Sequence, residues 1–321
     1  MVRTLSRRSL LRASLGGAAV LSAGVLGLGS LAPRAALARA RKSALHATRL
    51  ANNLVLIEGA GGNVVAAQSS DAVLLVDGGL AERSSELLKT VAAETGKRRI
   101  TTLFNTHWHW DHTGSNEALA KSGATIIAHE NTKLWLGAEV ISKWEDRTYA
   151  PRPARALPTQ TFYYDAKPLS FGTETVQYGL LPQAHTDGDI YVFFPSQNVL
   201  AAGDVVSGGG YPVVDYCTNG WSGGMINGLK ALIKLCDANT RVVPGTGPLR
   251  TREDLEAQLD MCFTVLQKIS ESYYKGQTWE ELVASQPTKD FDARWGNPDL
   301  FLRNSYEGAW LHINEIRRVT R

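Results

Sequence analysis

The sequence predicts an α/β protein in which two packed β-sheets lie between layers of helices. Short runs rich in β-branched and aromatic residues are interleaved with segments whose apolar residues recur at helical spacing. The strand-like runs form two sets along the chain, and helical segments accompany both sets. Helices on both outer faces would cover two sheets that face each other.

The elements follow one another in a regular order. The first set of predicted strands covers residues 53–58, 63–68, 72–76, 100–104 and 124–128. The second set covers residues 161–164, 175–180, 190–194, 199–202 and 241–243. Helices are predicted over residues 82–95, 116–122, 221–236, 252–274 and 300–319. No short repeat or low-complexity tract divides the chain, so one large domain is expected.

Two segments fit neither pattern. Residues 135–158 are polar and aromatic without a clear period, and residues 207–224 contain six glycines. Variable loops on a rigid scaffold often select the substrate, so we expect both segments to border an active-site cleft. For the glycine-rich segment, a purely structural connection is an equal alternative. It lacks the Gly-x-Gly-x-x-Gly helix entry of a nucleotide-binding loop.

The N-terminal segment has the pattern of a twin-arginine export signal. Arg7 and Arg8 precede an apolar stretch over residues 15–32, and small-x-small cleavage patterns follow at residues 36–38 and 38–40. A membrane anchor is the alternative, although Gly and Ser interrupt the stretch. We therefore assign residues 1–40 to the signal and its cleavage region, 41–52 to a short linker and 53–321 to the folded domain. A periplasmic or secreted protein without a stable membrane anchor after cleavage is expected.

Cleavage of this signal would reverse the sign of the net charge. Residues 1–40 hold six arginines and no acidic residue, so the formal net charge changes from +3 for the whole chain to −3 for the remainder. A mildly acidic domain lacks the basic stripe that nucleic-acid binding requires. The expected partner is a small-molecule substrate.

The three cysteines show no metal-binding spacing. Cys236 and Cys262, on consecutive predicted helices, either form a disulfide in an oxidising compartment or remain two buried thiols. Cys217 either approaches the substrate or is an inert packed thiol.

The most informative motif lies at residues 107–112, where three histidines and one aspartate fall within six residues. Imidazole and carboxylate groups bind zinc, manganese and iron. His107 and His109 alternate and share a face, whereas Asp111 and His112 lie past a bend, so one loop can serve two metal positions. The motif follows the predicted strand 100–104, and the carboxyl end of such a strand is where α/β sheets bind ligands. A solvated His-rich loop is the alternative.

The run Thr-His-Trp-His-Trp-Asp-His resembles the His-x-His-x-Asp-His signature of the metallo-β-lactamase superfamily. Further segments resemble that family in the expected order: residues 72–79 with Asp77, 184–189 with His185, 201–204 with Asp204, and 243–248. The resemblance covers nearly all of the chain from about residue 53. It implies a four-layer αββα metallo-β-lactamase sandwich and a hydrolase domain over residues 53–321.

The resemblance also implies two sets of metal ligands. They are His107, His109 and His185 for a first site, and Asp111, His112 and Asp204 for a second site. The family usually has a histidine in the last segment, where this chain has Thr246. A threonine hydroxyl is a poor ligand, so the second metal is expected to bind more weakly or to be absent.

The implied activity is hydrolysis of an ester, thioester, lactone or lactam by hydroxide held on zinc, with iron and manganese as alternative metals. Asp111 is the expected catalytic residue, which orients the nucleophile and shuttles its proton. Asp77 and Asp189 either fix imidazole tautomers from outside the ligand shell or serve as turn carboxylates. Three alternatives stay open: a β-lactamase proper, an accessory periplasmic metal-binding protein with a degenerate second site, and a mononuclear iron oxygenase.

Overall fold

A computed structural model describes residues 44–96, 98–164 and 168–313. Within these ranges the strands are β1 (His46–Ala51), β2 (Leu54–Glu58), β3 (Val64–Gln68), β4 (Ala72–Val76), β5 (Arg99–Phe104), β6 (Thr125–His129), β7 (Val140–Ser142), β8 (Arg147–Tyr149), β9 (Gln160–Phe162), β10 (Leu169–Phe171), β11 (Glu174–Leu180), β12 (Ile190–Phe194), β13 (Val199–Gly203) and β14 (Arg241–Pro244). The assignment of residues 1–40 to an export signal lies outside the described residues.

The helices lie between these strands and after them. They are α1 (Ser84–Glu94), α2 (Trp110–Thr113), α3 (Asn116–Lys121), α4 (Glu130–Gly137), α5 (Ser222–Leu235), α6 (Arg252–Tyr274), α7 (Trp279–Ala284), α8 (Asp292–Trp295) and α9 (Asp299–Leu311). A Thr251 capping box begins α6, because the threonine side chain accepts from the Asp254 N–H and the Asp254 carboxylate accepts from the Thr251 N–H. No helix within the described ranges is both long enough and apolar enough to span a bilayer.

The strands form two large sheets and one hairpin. The seven-stranded sheet has the order β1-β2-β3-β4-β5-β6-β9, and the five-stranded sheet has the order β10-β11-β12-β13-β14. The pairs β4·β5, β5·β6, β6·β9 and β13·β14 are parallel. Strands β7 and β8 pair only with each other. Parallel strands that end together place their following loops along one edge of each sheet.

Successive side chains of each strand point to opposite faces of the sheet, and the apolar ones form three layers of contacts. Leu74 and Val76 of β4 face the core between the sheets, whereas Val73 and Leu75 face α1. In the second sheet, Val192 of β12 faces the same inter-sheet core. Because both faces are covered, the central strands are apolar at nearly every position.

The other outer layer packs on the second sheet. Leu200 and Ala202 of β13 contact a core that includes Leu229 of α5, Val265 of α6 and Phe301 of α9. Helix, sheet, sheet and helix therefore follow one another, and the predicted four-layer αββα sandwich is confirmed.

Two expectations about the elements were wrong. The linker expected over residues 41–52 contains strand β1, which pairs antiparallel with β2 and completes the edge of the seven-stranded sheet. The strand expected at 161–164 belongs to the first sheet, since β9 pairs parallel with β6. Sequence order had placed it with the later set, but the β7–β8 hairpin is an insertion between two neighbouring strands of one sheet.

Candidate metal centre

Loops at the carboxyl ends of the strands bring the predicted ligands together. Residues 105–112 follow β5, His185 lies between β11 and β12, and Asp204 follows β13. One oxygen or nitrogen donor from each of four residues lies within 4.8 Å of the others: His107, His109, His185 and Asp204. The first site expected from the sequence is thus assembled, with Asp204 beside it.

The three imidazoles converge on one point. His109 Nδ1 lies 3.0 Å from His107 Nε2 and 2.9 Å from His185 Nε2. All three rings are buried. The Asp204 carboxylate lies 3.7 Å from both His107 Nε2 and His185 Nε2.

The far nitrogens of two rings are held by strong acceptors. His109 Nε2 lies 3.1 Å from a carboxylate oxygen of Asp215, and His185 Nδ1 lies 2.8 Å from the carbonyl oxygen of Val213. Both contacts require the imidazole to donate, since a carboxylate and a carbonyl only accept. In the neutral form of each ring the proton is therefore on the far side, and the converging nitrogen presents a bare lone pair.

The third ring is oriented through a hydroxyl. Thr106 Oγ1 donates its only proton to Asp77 at 2.8 Å and can therefore only accept from His107 Nδ1, which lies 3.1 Å away. Burial and the three neighbouring imidazoles lower the pKa of His107 well below its usual value. His107 is thus neutral, and its Nε2 is a third bare lone pair.

The lone pair of His109 Nδ1 lies 3.0 Å from His107 Nε2 and 2.9 Å from His185 Nε2, and lone pairs so close repel unless a cation lies among them. Burial also lowers the pKa of His185, whereas the Asp215 carboxylate outweighs burial at His109 and raises its pKa. In their neutral forms, the three imidazoles match the ligands of catalytic zinc. The chemistry of these residues therefore fits a metal ion.

The second predicted site is more open. His112 Nε2 lies 3.9 Å from Asp111 Oδ2 and 3.7 Å from Asp204 Oδ1. This nitrogen is buried and has no hydrogen-bond partner in the described part of the chain, while His112 Nδ1 donates to Asp77 at 2.9 Å. Burial lowers the pKa of His112, but the carboxylates of Asp77, Asp111 and Asp204 together raise it to about 10. An orphaned nitrogen between two carboxylates is a second place that fits a cation.

Two glycines allow the backbone to approach the side chains of the second site closely. A Cβ on Gly62 would lie 2.6 Å from the His112 ring, and one on Gly245 would lie 1.9 Å from Asp204 Oδ1. Thr246, the residue that replaces the expected histidine, follows Gly245 and is exposed. Gly245 therefore stands where the backbone approaches Asp204 closely, and the residue after it, Thr246, is a weak donor.

The two predicted supporting carboxylates have different roles. Asp77 is buried, adopts a left-handed backbone (φ +64°), and accepts hydrogen bonds from Thr106 N, Thr106 Oγ1 and His112 Nδ1. It therefore orients a ring in each half of the centre. Asp189 instead accepts from the N–H and the hydroxyl of Thr186, at 2.8 and 2.7 Å, and acts as a turn carboxylate for the His185 loop.

Sequence reasoning missed Asp215. This fully buried carboxylate accepts from His109 Nε2, from Thr218 Oγ1 at 2.5 Å and from Trp144 Nε1 at 2.8 Å. It joins the metal-binding loop, the glycine-rich segment and the tip of the β7–β8 hairpin. A signal was present, because Asp215 is the only acidic residue in the glycine-rich segment 207–224.

The cysteines lie outside the ligand set. All three are free, and Cys236 and Cys262 are buried thiols rather than a disulfide. Cys217 Sγ accepts from the Lys143 N–H at 3.4 Å, and burial raises its pKa. These contacts make Cys217 a packed thiol rather than a reactive one.

One family model and several known proteins match the sequence. The family model described as metallo-beta-lactamase superfamily matches residues 57–261, which is more than half of the chain. The chain is 28% identical to the metallo-beta-lactamase type 2 of Bacillus cereus over 205 residues, covering 62% of this chain and 72% of that protein. It is 31% identical to the hydroxyacylglutathione hydrolase of Gloeothece citriformis over 160 residues, covering 48% of this chain and 51% of that one.

Solved structures show the same fold. The metallo-beta-lactamase from Pontibacter korlensis superposes with a TM-score of 0.55 at 18% identity, covering 68% of this chain and 99% of that one. The metallo-beta-lactamase FIM-1 from Pseudomonas aeruginosa in its mono-zinc form gives a TM-score of 0.54 at 16% identity, covering 70% and 96%. With its four-layer fold and a His/Asp cluster able to hold a metal, this chain belongs to the metallo-beta-lactamase superfamily.

Proposed function

We propose that this protein is a zinc-dependent hydrolase that cleaves an acyl compound: an ester, a thioester, a lactone or a lactam. The observation that carries the proposal is the convergence of three buried imidazoles whose lone pairs point at one position. Their far nitrogens are fixed by Asp215, Val213 and Thr106, so the rings are oriented before any metal binds.

Histidines 107, 109 and 185 would hold the first zinc ion, with Asp204 beside it. Zinc bound by three histidines lowers the pKa of a water molecule to near neutrality and supplies a nucleophile at physiological pH. Asp111, His112 and Asp204 would hold a second ion. Loss of the usual histidine at Thr246 leaves that second set one ligand short, so its affinity is expected to be lower.

Asp111 is the proposed catalytic carboxylate. Its side chain is 27% exposed, whereas the three imidazoles of the first site are buried, so it can reach both the substrate and the solvent. An ionised carboxylate beside the attacking water can orient it and accept its proton. Asp77 has no such access, because its oxygens are taken by Thr106 and His112.

The relatives support the reaction class without choosing a substrate. One relative is named as a metallo-beta-lactamase and another as a hydroxyacylglutathione hydrolase. Both names describe hydrolysis at an acyl carbon, one at a lactam and the other at a glutathione conjugate. A shared fold hosts several such reactions, and the loops around the centre select among them.

A substrate panel with metal analysis tests the proposal. The zinc-loaded protein should hydrolyse at least one of nitrocefin, a lactone, a thioester and an aryl ester, and Asp111→Ala should abolish turnover while the circular dichroism spectrum is unchanged. Retained activity in Asp111→Ala would contradict the assigned role. Absence of all turnover, with activity created by Thr246→His, would favour a degenerate accessory protein. Bound iron with oxygen consumption would favour the oxygenase.

We also propose that the protein acts outside the cytoplasm after twin-arginine export. The proposal depends on the Arg7-Arg8 pair and the small-residue cleavage patterns before residue 41. N-terminal sequencing of the protein from its native host should give a mature chain that begins close to residue 39 or 41. A chain that retains the arginine pair would contradict cleavage.

A further inference from the structure

A cavity lies between the metal-binding loop and the β7–β8 hairpin. Its volume is about 380 Å³, and its walls include Trp110 of the loop, Trp135 of α4 and residues 147–153. This volume is at the lower end for a small-molecule site, which suits a ring-sized group. The residues expected from the sequence to border the cleft, 135–158, thus supply most of the cavity wall.

Arg147 is held in the cavity wall by stacking. Its guanidinium carbon lies 4.7 Å from the ring centroid of Trp110 and 4.4 Å from that of Tyr149. Stacking uses the flat faces of the guanidinium and leaves its N–H groups directed outward in the plane. Such a fork is shaped to bind a carboxylate through two parallel hydrogen bonds.

A second arginine lines the same cavity. Arg152 is half-buried, and burial followed by the nearby charge of Arg147 lowers its pKa, while Glu82 acts in the opposite direction. Glu82 lines the same cavity, so its wall carries two positive charges and one negative charge. Two like charges that face one partly buried space are stabilised when an anion joins them.

Glu82 and Thr148 also line the cavity, whereas Trp135 and Tyr149 present apolar surface to it, because their polar atoms are already bonded elsewhere. Trp135 Nε1 donates to Asp187 at 2.7 Å, and the Tyr149 hydroxyl donates to Glu145 at 2.8 Å. Trp135 and Tyr149 also pack on the small apolar cluster around Trp108. The aromatic rings therefore offer flat apolar surface next to two positive charges.

The cavity lies beside the metal centre, because one of its wall residues belongs to the metal-binding segment 105–112. Trp110 lies between His109 and Asp111 in sequence, so the wall is one residue from a donor of each proposed metal site. The hairpin is fixed in turn by Trp144, which donates to the same Asp215 that orients His109. A molecule in the cavity is thus held close to the reacting centre.

We propose that this cavity selects substrates that carry a carboxylate on a flat apolar group, with Arg147 and Arg152 binding the carboxylate and Trp110, Trp135 and Tyr149 contacting the apolar part. The cleavage of such a substrate rests on the proposed hydrolase function, but its binding does not. The arginines are specificity residues, because they lie outside the set of metal donors.

Calorimetric titration of the zinc-loaded protein with cinnamate and with cinnamamide measures binding without turnover. The two probes share a flat apolar group and differ in charge. Cinnamate should bind at least about tenfold more tightly, because charge-assisted hydrogen bonds to arginine are stronger than neutral ones. Arg147→Gln and Arg152→Gln should each weaken cinnamate binding about tenfold, which corresponds to about 1.4 kcal/mol.

Arg155→Gln is the matched control. Arg155 is exposed, pairs with Glu117 at 3.6 Å and lies outside the cavity, so its loss should change cinnamate binding by less than about twofold. Arg147→Lys should recover only part of the affinity, because an ammonium lacks the planar fork. Equal binding of the two probes, no saturable binding of cinnamate, or equal losses in the control and cavity variants would overturn the proposal. Cinnamate binding that is lost when zinc is removed, but not in the arginine variants, would also overturn the proposal, because the carboxylate would then be bound to the metal.

Kinetics separate the two proposals. With phenyl acetate and 3-carboxyphenyl acetate as paired substrates, the ratio of kcat/KM should favour the carboxylated ester, and Arg147→Gln should reduce that ratio. No turnover of either ester, with cinnamate binding intact, would count against the proposed hydrolase alone. Turnover of both with a ratio that Arg147→Gln leaves unchanged would overturn the role of the cavity.

Discussion

The two halves of the metal centre are built differently. In the first half, each imidazole has its own acceptor on the far side, and all three rings are buried. In the second half, only His112 is anchored, through Asp77, while Asp111 and Asp204 have side chains that are 27% and 25% exposed. No histidine is present at residue 246 to complete that half.

This difference indicates that the first half is suited to metal binding and the second half to catalysis. Oriented rings bind metal tightly because little conformational freedom is lost on binding. Carboxylates with solvent access are freer to move and to exchange protons, which suits catalysis more than tight binding. The comparison therefore predicts a tightly held first metal and a weaker, exchangeable second one.

The largest effect is expected from loss of a ligand in the first half. His185→Ala removes one of three converging nitrogens, so zinc affinity should fall by more than the roughly 10- to 100-fold that loss of a supporting residue costs. Hydrolysis should fall to background at the same time. Competition with a chromophoric chelator measures the affinity, and an unchanged value would contradict the role of His185 as a ligand.

Asp215→Asn tests the orientation of the rings rather than their presence. An amide matches the carboxylate in shape but not in charge, so His109 loses its ionised acceptor, and zinc affinity should fall about 10- to 100-fold. Asp189→Asn is the control, because Asp189 contacts Thr186 and no imidazole side chain among the described contacts. It should lower the free energy of unfolding by about 1–3 kcal/mol and leave zinc affinity unchanged. Equal affinity losses in both variants would contradict a specific role for Asp215.

The sequence alone was enough to predict the layers and to single out most of the side chains that the fold brings together. Strand β4 and helix α6 begin and end at the predicted residues, because apolar periodicity and the Thr251 capping box are local signals. The contact between Asp215 and His109 is not local, since 106 residues separate them. Only the folded chain shows which carboxylate reaches a given ring.

The same limit applies to β1 and to the cavity. Strand β1 has a partly exposed face and lies at a sheet edge, so its sequence carries little of the apolar alternation that marks an inner strand. The stacking of Arg147 between Trp110 and Tyr149 joins strand β8 to the start of helix α2, whose relative position no spacing rule predicts.

Asp111→Asn separates binding from catalysis. Turnover should fall about 100-fold, because an amide cannot accept a proton, while the tightly bound first metal should be retained. Metal content after dialysis and single-turnover kinetics measure the two effects. Loss of the first metal in this variant would erase the distinction between the two halves.

A smaller effect of opposite sign, a gain in zinc affinity, is expected in the second half of the centre. Thr246→His restores a ligand next to Gly245, which already lies against Asp204, so the affinity for a second zinc ion should rise about tenfold. Calorimetric titration of the protein already loaded with a single equivalent of zinc measures this step. An unchanged second affinity would show that the weaker half is limited by something other than its missing histidine.

The smallest effect is expected at Cys217. Its thiol packs against the Lys143 N–H and takes no part in either half, so Cys217→Ser should change turnover and zinc affinity by less than about twofold. Inactivation of the wild-type protein by a thiol reagent, prevented in Cys217→Ser, would instead connect this residue to the centre.

Anomalous X-ray diffraction at the zinc edge, on crystals grown with a single equivalent of zinc, shows directly which half of the centre binds the first metal ion. We expect one strong peak, about 2.0–2.1 Å from a nitrogen of each of His107, His109 and His185, and little density near His112. Equal peaks in the two halves, or a single peak bound by Asp111 and His112 instead, would contradict this expectation.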